Sequence, residues 1–161
     1  MVNKSDFSEV EWAALVDAPQ IAGIAVMVAG ASGLVGSIKE AAAAAEAVWS
    51  GSTHDDELIR LISTREEMQA SQTRIRTLLG EFGETDPDEW VRQQAIATVQ
   101  RANAILKSKA ANELTVYHEW ILSVADKVAN AAKEGGFLGF GGVRVSEGEE
   151  KMIAAIKAAL I

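Results

Sequence analysis

Ala111-Asn-Glu-Leu-Thr-Val-Tyr-His-Glu-Trp-Ile-Leu-Ser-Val-Ala-Asp-Lys-Val-Ala-Asn-Ala-Ala-Lys133 is the stretch whose spacing decides the fold. Leu114, Tyr117, Ile121, Val124, Val128 and Ala131 recur in alternating steps of three and four, the seam of a helix packed at about 20° on its neighbours. Leu122, Ala125, Ala129 and Ala132 widen the seam on one flank. The spacing predicts a helix over 111–133, ended by Gly135 in a left-handed cap. A strand would alternate every second residue, and only Val143-Arg-Val145 reads as briefly extended.

The rest of the chain repeats this helical character. Asp86-Pro-Asp-Glu89 carries three start signals: a capping Asp86, Pro87 where its missing N–H is harmless, and acidic groups at the positive helix end. Val91, Ala95, Val99, Ala102 and Leu106 form the apolar face that follows. Upstream, Leu58, Leu61, Ile62, Met68, Ile75 and Leu79 predict one long helix capped by Thr53 or Asp55. Arg65 and Gln72 fall on its apolar stripe, which predicts a kink near 71–73. Residues 34–49 read as a helix whose alanines at 41–45 allow close approach of a neighbour.

Both ends carry capping boxes, Ser8-Glu-Val-Glu11 and Ser146-Glu-Gly-Glu149. The first opens a helix with Trp12, Leu15 and Val16. It is predicted to stop before Pro19, because the residue preceding a proline avoids the helical region, with a second helix over 20–29. The last box opens a short amphipathic helix carrying Met152, Ile153, Ile156 and Leu160. The fold class is therefore all-α: a single domain over 1–161, a helical bundle on two or three long antiparallel helices with shorter ones alongside.

Composition narrows the function classes. A chain of 161 residues, 48% hydrophobic and 24% charged, supports a real core. With no cysteine, disulfides, thiolate nucleophiles and cysteine-ligated metals are excluded. This suits a reducing, cytoplasmic setting. The net charge of -8 and the scattered basic residues argue against nucleic acid. The N-terminus lacks the basic-then-apolar order of a secretory signal. Residues 18–38 are uncharged, a length that spans a bilayer, but polar and glycine residues interrupt the run. The densely apolar part, 21–29, reads as a buried core helix, and membrane association is the lesser reading.

Catalytic constellations are missing. A carboxylate di-iron site needs two Glu-x-x-His motifs, yet His54 follows Gly51 and His118 follows Thr115 at that spacing. His54 with Asp55, Asp56 and Glu57 reads as acidic groups complementing a helix dipole. His118 beside Glu119 lacks further ligands of metal-site spacing. No nucleophile elbow and no phosphate-loop lysine is present. The reading is a non-enzyme without cofactor or metal.

Glu134-Gly-Gly-Phe-Leu-Gly-Phe-Gly-Gly142 holds five of the chain's thirteen glycines and two of its four phenylalanines. A flexible linker would be polar, so Phe137, Leu138 and Phe140 are expected to pack, plugging the bundle's end. The competing reading makes Phe137, Leu138, Phe140 and Arg144 a ligand- or partner-binding loop before the last helix.

Phe7-x-x-x-Glu11-Trp12, Ala18-Pro19, Gly23, Ser32-Gly-Leu34, the glycine-rich motif and Val145-Ser146-x-x-Glu149 together resemble a family of small bacterial proteins. The resemblance spans nearly the full length, and residues 54–83 lie outside it. It implies a bacterial, all-helical, single-domain protein and transfers no catalytic residue. The expected function is a non-catalytic interaction or assembly protein, as a homo-oligomer or with a protein partner. The alternative is a binding module for a small apolar ligand or the membrane surface.

Overall fold

Ser8 opens the first long helix. In the computed structural model, which describes residues 2–30, 38–134 and 145–161, its Oγ accepts the Glu11 N–H, and the Glu11 carboxylate accepts the Ser8 N–H at 2.7 Å. Two otherwise free backbone donors are thereby met. The helix that follows, α1 (Glu9–Ala29), runs straight through Pro19. The expected break before Pro19, and the separate helix over 20–29, give way to one continuous element.

The reason lies across the core. Proline has no N–H to offer the carbonyl four residues back, here that of Leu15. Tyr117, fully buried, donates its hydroxyl to that carbonyl at 2.8 Å. A side chain from another helix thus supplies the bond that proline removes, and the buried acceptor is not orphaned.

Seven α-helices and no strand are present among the described residues. After α1 come α2 (Ile38–Trp49), α3 (Glu57–Ile62) and α4 (Arg65–Leu79). The single long helix expected over this last region is two, and the break falls at Ser63–Thr64 rather than at 71–73. Thr64 caps α4 by accepting the Glu67 N–H, while the Ser63 N–H closes α3 on the Ile59 and Arg60 carbonyls. The Ser-Thr pair thus supplies a partner at each side of the break, which lowers the cost of ending one helix and starting the next. Asp56, rather than Thr53 or Asp55, caps α3, accepting the Ile59 N–H at 3.1 Å.

The second half follows the sequence closely. In α5 (Pro87–Lys109), Asp86 Oδ1 accepts the Asp88 and Glu89 N–H groups, each at 3.1 Å. Val91, Ala95, Val99, Ala102 and Leu106 are all buried. A 3-10 turn, Ala111–Glu113, leads into α6 (Leu114–Glu134), and α7 (Glu147–Ala159) starts at the Ser146 capping box.

Packing centres on α1, with Leu15, Ile21 and Val26 fully buried against Ile59, Val99, Ile121 and Ile156 from four other helices in one apolar cluster. Each such side chain contributes roughly 1.5–3 kcal/mol on leaving water. Gly23 faces α6, where an added Cβ would make ordinary van der Waals contact at 3.5 Å with both Val124 and Val128. The start of α1 meets the end of α5, where Lys109 Nζ bonds the Glu11 carboxylate at 2.6 Å and holds it below the usual carboxylate range. The C-terminal end of α1 meets the first turn of α7, opposite ends of two helix dipoles. A Cβ added at Gly148 would lie 2.1 Å from the Ala29 carbonyl oxygen.

Candidate functional site

Phe137, Leu138, Phe140 and Arg144 fall at 135–144, outside the described residues; α6 ends just before them and Ser146 caps α7 just after. The site that the described residues do build lies elsewhere, between the 3-10 turn Ser50–Thr53 and one flank of α6.

The turn is seated by what Gly51 lacks. A Cβ there would meet Ser63 Oγ at 2.2 Å and Trp120 Cζ2 at 2.7 Å, so only glycine lets the turn lie on Trp120. From that seat the chain is bonded residue by residue. Ser50 Oγ donates to the Ala47 carbonyl at 2.7 Å, and the His54 N–H donates to the Gly51 carbonyl at 3.0 Å. Arg60 donates to the His54 and Asp55 carbonyls at 2.7 and 2.6 Å. Local side-chain bonds of this kind fix a loop without regular structure.

His54 Nδ1 accepts the Asp56 N–H at 3.0 Å, which places its ring proton on Nε2. The ring meets the edge of Trp120 with centroids 5.7 Å apart. Lys127 lies over the same indole, its Nζ 5.6 Å from the ring centre, and donates to Ser50 Oγ at 3.0 Å. Trp120 itself is only 4% exposed, so it is the floor of the groove. Above it opens a volume of about 390 Å³, walled by Thr53, His54 and Asp55 on one side and by Glu119, Ser123 and Lys127 on the other. Glu119, Ser123 and Lys127 are four residues apart in turn and share one flank of α6.

Both histidines have partners other than a metal. His118 Nε2 bonds Asn103 Oδ1 at 2.9 Å, and partial burial, then Lys107, lowers its pKa from the usual histidine value. Among the described residues no group of three His, Asp or Glu side chains is placed to hold a metal ion. Glu113 lies beside Asp56 at the foot of α3. Its pKa is raised, first by burial and then by the Asp56 charge. A carboxyl harder to ionise in the fold costs nothing below its ordinary value of 4.5 and costs most once pH exceeds the raised one. Glu113→Gln is therefore expected to raise the melting temperature at neutral pH and to leave it unchanged below that ordinary value. Thermal melts at both pH values check this.

A second hollow of about 460 Å³ lies among α1, α4 and α5, beside Val10, Ala13 and Leu78. There Arg74 and Asp17 already satisfy each other in a two-pronged contact at 2.6 and 3.0 Å. The groove over Trp120 differs in its floor and its fixed cation: it rests on a buried indole, and Lys127 is held over that ring and bonded to Ser50. Sequence reading missed the groove because its walls come from distant segments: Ser50 and Lys127, bonded to each other, stand 77 residues apart. The polar run Ser50-Gly-Ser-Thr-His-Asp55 and the Glu119, Ser123, Lys127 spacing were the signals available.

No protein-family model, curated protein or solved structure gives a significant match to this chain.

Proposed function

We propose that this chain is a non-catalytic interaction protein whose recognition surface is the groove over Trp120. The observation that carries the reading is the way its polar groups are held. Ser50, His54 and Lys127 are each positioned by bonds from within the chain, leaving polar atoms directed at a shared opening. Such preorganisation lowers the entropic cost of binding. His54 also favours recognition over proton transfer. A catalytic imidazole is commonly oriented by an acceptor at Nδ1, whereas here Nδ1 receives a backbone N–H.

The supporting scaffold is read as a bundle of long antiparallel helices, with α5 antiparallel to α1 and α6 beside them. Trp49, 46% exposed at the end of α2 and next to Ser50, supports a homo-oligomer or a protein partner. The net charge of -8 supports a partner other than nucleic acid. The family resemblance and the cysteine-free composition support a bacterial cytoplasmic setting. The reading includes no cofactor and no enzymatic activity.

The alternative, a module for a small apolar ligand or a membrane surface, draws on α1, which is long and apolar enough to cross a membrane. Burial of 72% of its most apolar window supports a core role instead.

Native mass spectrometry of protein gently purified from its own host tests the proposal. An oligomer of the 17.1 kDa chain, or a polar ligand or protein partner that leaves on activation, is the expected result, whereas a bound lipid or apolar ligand favours the alternative. A bare monomer that carries nothing and captures nothing overturns it.

A further inference from the structure

We propose that the groove over Trp120 takes a short zwitterionic peptide of dipeptide size, with its carboxylate at Lys127 and its ammonium at Glu119 and Asp55. The inference rests on the reading of the groove as a recognition surface and names the class of ligand it fits. Three features of the walls carry it.

Charge comes first. The lining residues include one ammonium and two carboxylates. Lys127 forms no ion pair among the described residues, and neither Asp55 nor Glu119 forms one. A purely anionic ligand would meet two like charges, and a purely cationic one would meet Lys127. A ligand with both signs satisfies all three.

Spacing comes second. Glu119 and Lys127 stand eight residues apart on α6, a rise of about 12 Å. Lys127 leans back over the Trp120 ring, so the two charges approach more closely than their backbones do. An extended dipeptide separates its termini by about 7 Å, and a charge-assisted bond adds about 2.8 Å at each end. That reach is the upper bound for charges this far apart on the helix, a bent dipeptide fits the shorter separation, and a volume of about 390 Å³ admits it.

The uncharged groups come third. The lining also includes Ser123 and His54, whose hydroxyl and Nε2–H are suited to a peptide or carboxylate oxygen. The shallow hollow beside the groove, at Glu46 and Ala131, shares Ser50 and Lys127 with it and leaves room for a side chain.

Titration of the full chain, labelled with ¹⁵N, against dialanine tests this. The Trp120 indole N–H lies buried directly beneath the groove and is the reporter. Dialanine is expected to shift that resonance together with the amides of 50–55. Lys127→Met and the pair Asp55→Asn/Glu119→Gln change exposed side chains, so folding is retained. Each is expected to weaken binding about two- to fivefold, the range for a partly exposed charged contact. N-acetyl-dialanine, an anion, should bind no worse and somewhat better to Asp55→Asn/Glu119→Gln, and dialanine amide, a cation, likewise to Lys127→Met, because each change removes a like charge. If either blocked form binds as tightly as dialanine, the zwitterion is overturned while the groove stands as a recognition surface. If dialanine shifts only residues elsewhere, or none, the zwitterion is overturned as well. The groove reading fails separately, on a bare monomer from the native host.

Discussion

Replacing Tyr117 with phenylalanine is expected to cost about 2 kcal/mol, although only one oxygen is removed. The oxygen donates its proton to Leu15, the carbonyl that Pro19 leaves without an intrahelical partner. With the hydroxyl gone, that carbonyl would be buried and unsatisfied in the middle of the chain's most buried helix. For a domain of this size the loss corresponds to a fall of about 4–8 °C in melting temperature. Pro19→Ala restores an N–H at the right position. In that background Tyr117→Phe should cost well under half as much, and the double-mutant cycle isolates the coupling. Equal costs in the two backgrounds would show that the hydroxyl does not replace the missing helix bond. Alkali gives an independent check. Burial, and then Asp17, raises the Tyr117 pKa well above its ordinary 10.0. The fold thus resists ionisation there, and stability is lost as pH rises past the ordinary value toward the raised one. Tyr117→Phe removes that part of the alkaline loss.

Gly148→Ala is expected to cost about 3 kcal/mol, the upper end for an overpacked site. The intruding methyl would lie 2.1 Å from the Ala29 carbonyl oxygen. That atom belongs to the backbone of α1, so no rotamer change relieves the contact. Either the first turn of α7 lifts or the end of α1 bends, and both disturb the Ser146–Glu149 capping box. Gly80→Ala is the control, because its new Cβ meets nothing nearer than 3.4 Å and its backbone is already helical. It should be neutral or slightly stabilising through the unfolded chain. Chemical denaturation of the two variants checks the contrast. Comparable costs would mean that the contact between α1 and α7 is not tight.

How much of this was legible depends on the range of the interactions. Capping at Ser8, Asp86 and Ser146 acts within four residues, and the sequence predicted each one. The buried face of α5 and the Tyr117, Ile121, Val124, Val128 seam of α6 follow from a period of 3.6 residues, again a local property. Pro19 is where local reasoning fails, since the rule against helix before proline presumes that the lost bond stays lost. Tyr117 replaces it from 102 residues away, and no window of sequence contains both. The break at Ser63–Thr64 was obscured for a different reason. Leu61, Met68 and Ile75 keep steps of seven across it, so the apolar pattern alone cannot show where the backbone changes partner.

The groove was the least legible part. Its two walls are ordinary polar surface when read separately, and they become a site only when Gly51 seats the turn on Trp120. The glycine-rich motif stands out by composition, and Phe137, Leu138, Phe140 and Arg144 lie outside the described residues. The groove carries the functional proposal because Ser50, His54 and Lys127 are held in place by bonds from within the chain.

The measurement that bears most directly on that proposal is hydrogen–deuterium exchange on protein as purified from its own host, compared with the same protein after activation or dialysis strips whatever it carries. Slower exchange across 47–56 and 119–127 in the loaded form is the expected result. Protection confined to the Val10, Ala13 and Leu78 hollow, or no difference at the groove, would contradict the assignment of the Trp120 surface.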